Sequence, residues 1–187
     1  MELGVASVGM VGTMIVFSFV GDSGVGKTTL LVSLVSILRA SGLDVRAVKH
    51  SKGFDDPEPP SKDSRRIREA GASRVVLASP CQTVLIWDHA ESEPPFAERL
   101  ALVGNADLVL VESFAASGLP VVEVLRSALP RRTPRMSADD SRWIALVSDF
   151  DVEGVPPRVR RFGFEQTDEL ARFLASGLST HDTRKSP

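Results

Sequence analysis

Cysteine is nearly absent from this sequence, which has one, Cys81, among 187 residues. A single cysteine excludes an intramolecular disulfide, and nothing in the composition indicates an oxidising compartment. An excess of charge is also missing, since 22 Lys and Arg residues face 24 Asp and Glu residues. That balance gives no general attraction for nucleic acid or for a membrane surface. We therefore expect a cytoplasmic protein without nucleic-acid or membrane partners.

Charged residues are also missing from residues 3–20, a length that can resemble a membrane helix. Glycines interrupt the run, and no Lys or Arg precedes it as a signal peptide requires. We expect 1–13 to be an extension with little structure, 14–178 to be one domain and 179–187 to be a flexible tail. The sequence leaves Met1 and Met14 as two candidate starts.

The chain is organised around a glycine-rich stretch, Gly21–Thr28, with the spacing G-x-x-x-x-G-K-T. The apolar run Met14–Val20 before it is typical of a strand buried on both faces, and leucines at helical spacing follow it. Strand, glycine loop and helix form the context that a phosphate-binding loop requires. Glycines let the backbone amides approach a polyphosphate, and the helix N-terminus adds partial positive charge.

Two side chains of the loop have separate expected roles. Lys27 can reach the outer phosphates, and the Thr28 hydroxyl can bind a magnesium ion that bridges phosphate oxygens. The residues predicted to bind the nucleotide here are Gly21, Asp22, Ser23, Gly24, Val25, Gly26, Lys27, Thr28 and Thr29.

Acidic residues complete the predicted magnesium site. Glu112 ends the apolar run Leu108–Val111, where a carboxylate can hold magnesium through water or orient the attacking water. Asp63 lies in the first turn of a short charged helix, and it either caps that helix or acts on the magnesium side. We assign catalytic roles to Lys27, Glu112 and Asp63, and metal binding to Thr28, Glu112 and Asp63.

Other polar residues follow predicted strands, where ligands of a parallel sheet gather. Lys49 and His50 are predicted to meet the nucleotide, with a solvated loop as the alternative. Asp149 could accept hydrogen bonds from guanine, although no N-K-x-D motif is present. Residues 127–142 contain several arginines and lack periodicity. They form either a lid that clamps phosphates or a soluble loop, and no interleaved aromatic residues indicate a nucleic-acid surface.

The remaining pattern predicts an α/β protein of three layers, a P-loop NTPase fold with a mostly parallel sheet. Residues 74–78 and 83–87 are too close together for a helical crossover and predict a short antiparallel excursion. The last helix is expected to run from Asp168 to Ala175, capped by Thr167 and ending before Gly177.

Further elements, taken with the phosphate-binding loop, resemble one known family. These elements are Val48-Lys49-His50, Lys62-Asp63-Ser64-Arg65, Arg68-Glu69-Ala70-Gly71-Ala72, Ala106–Glu112, Pro120 with Glu123-Val124, and Ile144–Asp149. In this order they are similar to the molybdopterin-guanine dinucleotide biosynthesis protein B family. The resemblance implies GTP and Mg²⁺ as cofactors, weak hydrolysis, a homodimer, and partnership with the guanylyltransferase that attaches GMP to molybdopterin. It leaves contact with molybdopterin itself open.

The chain departs from the family pattern at several positions where the family has histidine, glycine or lysine. Ser51 follows Lys-His in place of the pattern that brings a further histidine, Ser61 replaces a glycine, Ser113 and Ala115 replace a glycine and a lysine, and Val121 replaces a lysine. We expect these changes to remove positive charge from the carboxyl-end edge of the sheet, at ~1.5–3 kcal/mol for each charged hydrogen bond lost. Nucleotide binding should survive, whereas contact with a pterin phosphate or partner enzyme should change.

Two other functions fit the residues. An ATP-dependent small-molecule kinase would use residues 127–142 as its lid, but it needs a base near the acceptor hydroxyl, and none is evident. A non-catalytic nucleotide-dependent adapter needs no such base. For the GTP-binding function that the resemblance implies, the lack of an evident arginine finger or positioning glutamine predicts slow turnover.

Overall fold

A computed structural model describes residues 10–11, 14–51, 53, 63–89, 92–113 and 118–182. The strands are β1 (Met10–Val11), β2 (Met14–Val20), β3 (Val45–Lys49), β4 (Arg74–Ala78), β5 (Thr83–Trp87), β6 (Leu108–Glu112), β7 (Val121–Leu125), β8 (Trp143–Ser148) and β9 (Arg160–Phe162). The helices are α1 (Lys27–Ala40), α2 (Asp63–Glu69), α3 (Phe96–Val103) and α4 (Thr167–Asp182). Among these described helices, none is long and apolar enough to cross a membrane.

The main sheet has seven strands within the described residues, in the spatial order β3-β6-β2-β7-β8-β9 with β1 beside β2. The pairs along this order are parallel, and β1 is antiparallel to β2. Because parallel strands end at the same edge, the residues that follow β2, β3, β6, β7, β8 and β9 share one edge of the sheet. The glycine-rich loop after β2 therefore lies between a β6 side, which includes β3, and a β7 side, which includes β8 and β9.

Apolar packing fixes this sheet on both faces. Strands β2, β6 and β7 are buried along their whole length, and their residues are apolar except for Ser18, Glu112 and Glu123. One core cluster joins alternate residues of the strands to leucines of α1 and α4. The helix leucines in it include Leu30, Leu34, Leu38, Leu170 and Leu174. A second cluster packs Leu125, Trp143 and Leu146 against Val152, Val155 and Val159. Each fully buried leucine contributes roughly 1.5–3 kcal/mol to the free energy of folding.

Residues 51–99 form a compact unit of their own, and residues 1–50 with 100–187 form another. In the described part of the smaller unit, β4 and β5 pair as an antiparallel hairpin from Arg74↔Trp87 to Ala78↔Thr83. This confirms the antiparallel excursion that the short spacing predicts. The Arg74 guanidinium lies 3.7 Å from the centroid of the Trp87 ring.

Some element boundaries differ from the sequence expectation. Helix α4 runs on to Asp182, so the predicted end before Gly177 is wrong. A glycine inside a helix costs only about 1 kcal/mol, which packing of the α4 leucines outweighs. Strand β9 was not predicted, because a three-residue strand with two exposed arginines shows no apolar periodicity. Of the N-terminal extension, Met10 and Val11 are described and form β1.

Candidate functional site

Glycine conformations shape the loop between β2 and α1. Gly21, Gly24 and Gly26 have φ angles of 154°, 76° and 102°, values that other residues rarely adopt. A Cβ atom on Gly21 would lie 2.5 Å from the carbonyl oxygen of Val124 in β7. The loop is thus packed directly on the neighbouring strand. Gly26 is the N-cap of α1, so the positive end of the helix dipole lies at the loop.

Lys27 is folded back onto the start of this loop. Its Nζ donates to the carbonyl oxygens of Gly21 at 3.0 Å and Asp22 at 2.9 Å, and the residue is 7% exposed. Burial lowers the pKa of Lys27, and the charges of Glu112 and Asp22 oppose that change. A nearly buried ammonium group held by two carbonyls can turn to an anion at little cost in hydration, because it is already stripped of most water.

Three side chains meet on the β6 side of the loop. The Thr28 hydroxyl donates to the Glu112 carboxylate at 2.9 Å, and Lys49 Nζ lies 3.3 Å from Thr28 Oγ1 and 3.3 Å from Glu112 Oε2. Strand register explains the meeting, since Lys49 and Glu112 are Cα partners at the ends of β3 and β6. The backbone N–H of His50 extends the pairing to the Glu112 carbonyl at 3.0 Å.

The donor atoms of Thr28 and Glu112 suit magnesium. A hydroxyl and a carboxylate are oxygen ligands of the kind that Mg²⁺ prefers, and Mg²⁺ usually takes one or two protein ligands with waters and substrate phosphates. In the described ranges, no group of three or more His, Cys, Asp or Glu side chains could hold a metal ion by itself. Any ion bound here would therefore depend on phosphate oxygens and water for its remaining ligands.

Arginines meet the loop on the β7 side. Arg131 Nε lies 3.3 Å from Asp22 Oδ2, and the Arg135 guanidinium contacts Asp22 Oδ1. The hydrogen bond from Arg135 is the main reason that the pKa of Asp22 is lowered. Both arginines come from the irregular segment 127–142, and sequence reasoning left open whether this segment reaches phosphates. The structure brings two of its arginines to the second residue of the phosphate-binding loop.

Glu123 anchors that segment. It lies in β7, is 0% exposed, and accepts hydrogen bonds from the backbone N–H groups of Arg135 at 2.5 Å and Met136 at 3.4 Å. Burial raises the pKa of Glu123, although these N–H groups favour its ionised form. In the sequence, Glu123 stands out only as part of the Pro120 and Glu123-Val124 family element. Its position beside Val20 of β2 explains why it can fix a loop next to the site.

Arg126 is a candidate site residue that sequence reasoning missed. Its guanidinium carbon lies 4.0 Å from the centroid of the Phe164 ring, and Nη2 would be 3.6 Å from a Cβ on Gly26. The buried Nε atom has no hydrogen-bond partner among the described residues. Arg126 directly follows β7, so the carboxyl-end rule that singles out Glu112 could also have found it.

The other predicted residues have their own surroundings. Asp149 accepts hydrogen bonds from the N–H of Ser127 at 2.6 Å and its hydroxyl at 2.9 Å, and the first of these is the main reason its pKa is lowered. It lines an open cleft of about 460 Å³ together with residues 150–152, 161–163, 165 and 166. Asp63 lies in the smaller unit, is highly exposed, and pairs with Arg66 at 3.4 Å in the first turns of α2.

The departures from the family pattern have different structural meanings. Ser113 has φ of 68°, the left-handed region that favours glycine, so the glycine of the pattern has a backbone reason. Val121 is the first residue of β7, 1% exposed and paired with Ser18. The expectation that a lysine missing there removes charge from the carboxyl-end edge is wrong, because the strand begins at Val121. Ser61 and Ala115 lie outside the described residues.

Comparison with known proteins agrees with the fold and the order of these elements. Residues 16–149 match the family described as Molybdopterin guanine dinucleotide synthesis protein B. The molybdopterin-guanine dinucleotide biosynthesis adapter protein of Escherichia coli K12 is 33% identical over 141 residues, covering 73% of this chain and 80% of that protein. The adapter protein of Haemophilus influenzae is 32% identical over 136 residues, covering 71% and 74%.

Solved structures of the same family have a fold similar to that of this chain. A crystal structure of molybdopterin-guanine biosynthesis protein B has a TM-score of 0.66 and 29% identity, over 88% of this chain and 99% of that one. A MobB homologue from Bacillus stearothermophilus, with a TM-score of 0.63 and 23% identity over 89% and 99%, supports the fold. The match over residues 16–149 and the identity to the Escherichia coli protein show that this chain belongs to the molybdopterin-guanine dinucleotide synthesis protein B family.

Proposed function

We propose that this chain binds GTP with Mg²⁺ and acts as an adapter for the guanylyltransferase that attaches GMP to molybdopterin. The observation that carries nucleotide binding is the contact of Thr28 with Glu112 at 2.9 Å, next to the nearly buried Lys27. These groups lie where a helix N-terminus and a glycine loop present backbone amides. The adapter role is supported by membership of the family and by the names of the relatives.

Each residue contributes by position and charge. Lys27 would exchange its two carbonyl partners for phosphate oxygens, and Arg126 adds positive charge beside Gly26. Thr28 would bind Mg²⁺ directly and Glu112 through water, with Lys49 holding the carboxylate. Bound Mg²⁺ would supply charge neutralisation for the phosphates. We propose weak hydrolysis, below about 1 per second for the isolated protein.

Guanine selection is proposed for the cleft at the ends of β8 and β9. Asp149 lines it, and the hydrogen bonds from Ser127 lower the pKa of its carboxyl group, which favours the ionised form. An ionised carboxylate can accept from the ring and amino N–H groups of guanine, which adenine does not present in that arrangement. Isothermal titration calorimetry with GTP and ATP in MgCl₂ tests this. We expect GTP to bind more tightly, while preference for ATP would favour a kinase instead.

The phosphate part is tested with Lys27→Ala. We expect this variant to lose GTP affinity by at least about tenfold, because a charged hydrogen bond to phosphate contributes roughly 1.5–3 kcal/mol. Unchanged GTP affinity would refute the assignment of the loop.

The adapter role is tested in cells that lack the gene. We expect the guanine-dinucleotide form of the cofactor to fall, and a normal level of it would refute the role. We also propose a homodimer, which sedimentation of the purified protein with and without GTP would reveal. Binding of molybdopterin by the GTP-loaded protein is a separate measurement, since Ser51 and Ser113 replace residues of the family pattern.

A further inference from the structure

Two arginines lie at the phosphate-binding loop without a structural need for both. Asp22 accepts from Arg131 Nε at 3.3 Å and from the Arg135 guanidinium on its other oxygen. Asp22 is partly exposed, and its side chain is 26% accessible, so water could satisfy the carboxylate without either arginine. We therefore take the ion pairs to position the two arginines, since the Asp22 carboxylate does not need them for its solvation.

The position of Arg135 is built into the sheet. The fully buried Glu123 carboxylate accepts the backbone N–H groups of Arg135 and Met136. A buried charge is costly unless it is hydrogen-bonded, so this anchor fixes the segment and cannot be a chance surface contact. It places the Arg135 side chain over the loop that follows the adjacent strand, β2.

Cations contact both the backbone carbonyl and the side-chain carboxylate of Asp22. Its carbonyl accepts from Lys27 Nζ at 2.9 Å, and its carboxylate accepts from the two arginines. Three cations thus contact Asp22, two at its carboxylate and one at its backbone carbonyl. Burial is the main reason that the pKa of Lys27 is lowered, and the charge of Arg135 adds to this, so Arg135 acts on the lysine electrostatically. This local excess of positive charge suits a polyanion.

We propose that Arg131 and Arg135 are ligands of the terminal phosphate of the bound nucleoside triphosphate, and that Asp22 holds them at the loop until that phosphate arrives. The inference rests on the proposed binding of GTP. Arginine binds phosphate oxygens bidentately and tightly, so a terminal phosphate can displace a partly exposed carboxylate. A nucleoside diphosphate offers no terminal phosphate at that position, and the arginines stay on Asp22.

The test compares GTP with GDP. Isothermal titration calorimetry in MgCl₂ is run on the full chain, on the double variant Arg131→Gln/Arg135→Gln, and on Arg132→Gln. Arg132 is the matched control, because its guanidinium lies over Phe150 at 5.0 Å. We expect the double variant to lose GTP affinity about tenfold to a hundredfold and to keep its GDP affinity within about threefold. The control should bind both nucleotides like the unmodified chain.

The outcomes separate this proposal from the proposed function. An unmodified chain that binds no GTP refutes the proposed function. A chain that binds GTP, with a double variant that loses GTP and GDP equally or loses neither, overturns the arginine assignment alone. Asp22→Asn gives a second measurement that does not depend on the folding of the double variant. We expect it to bind GTP severalfold more tightly because the phosphate no longer competes with a carboxylate, and weaker binding would also overturn the proposal.

Discussion

The two sides of the phosphate-binding loop are built differently. On the β6 side, Lys49 and Glu112 end paired parallel strands, and their meeting with Thr28 follows from strand register. On the β7 side, Asp22 meets arginines that come from an irregular segment. That segment is fixed by the buried carboxylate of Glu123 rather than by strand pairing. A regular sheet edge therefore gives one half of the site, and an irregular segment anchored in part by a buried acid gives the other.

The largest effect is expected where the two sides join. Gly21→Ala places a Cβ 2.5 Å from the Val124 carbonyl oxygen, at a φ of 154°. We expect a loss of roughly 2–4 kcal/mol in the free energy of unfolding, measured by urea denaturation. Gly24→Ala is the control, because its Cβ would meet nothing within 4 Å. It should lose only about 1 kcal/mol, and equal losses would contradict the role of the β7 contact.

The β6 side should control the response to magnesium. Glu112→Gln keeps the size of the side chain and removes the charge that faces Thr28 and Lys49. We expect the ratio of GTP affinities in MgCl₂ and in EDTA to fall about tenfold, since one charged interaction with the ion's water shell is lost. The Arg131→Gln/Arg135→Gln variant should keep the unmodified ratio. A reversed result would exchange the roles of the two sides.

The two acids of the β7 side should give opposite pH dependences of the free energy of unfolding. Burial raises the pKa of Glu123 above 4.5, so its contribution is fully present below pH 4.5 and is lost as pH rises through the raised pKa. Arg135 lowers the pKa of Asp22 below 3.8, so its contribution is present above pH 3.8 and is lost as pH falls through the lowered pKa.

Urea unfolding between about pH 3 and 8 checks these signs. Relative to the unmodified chain, Glu123→Gln should gain stability as pH rises, because it no longer carries a buried charge. Relative to the unmodified chain, Asp22→Asn should lose stability as pH rises, because it cannot form the ion pair that the ionised Asp22 forms. Parallel curves for the two variants would show that the acids do not have the different surroundings described above.

The smallest effect is expected at Ser113, next to Glu112. Its φ of 68° is unfavourable for serine, so Ser113→Gly should raise the free energy of unfolding by about 0.5–1 kcal/mol. Ser36→Gly, in the middle of the exposed face of α1, is the matched control and should lower it by about 0.5 kcal/mol. Thermal denaturation compares the two, and the same sign for both would exclude backbone strain at Ser113.

The sequence allowed prediction of β2 and β6 because both are mostly apolar runs, and of the β6 side because its polar residues end or directly follow strands. Asp22 with Arg131 and Arg135 could not be predicted, since the path of an irregular segment depends on distant contacts such as the one with Glu123. Arg126 was missed although it directly follows β7, because the carboxyl-end rule was applied to residues at the ends of other strands and not to this arginine. The predicted end of α4 before Gly177 was wrong because the packing of the α4 leucines outweighs the cost of a glycine inside the helix.

The contact between Gly21 and Val124 also decides whether the phosphate-binding loop can be moved. The height of the loop above the sheet is set by a carbonyl of the next strand, not by residues 21–28 alone. These eight residues are therefore not a portable module. A host protein would also have to supply a neighbouring strand whose backbone leaves room for the loop at the position of Gly21.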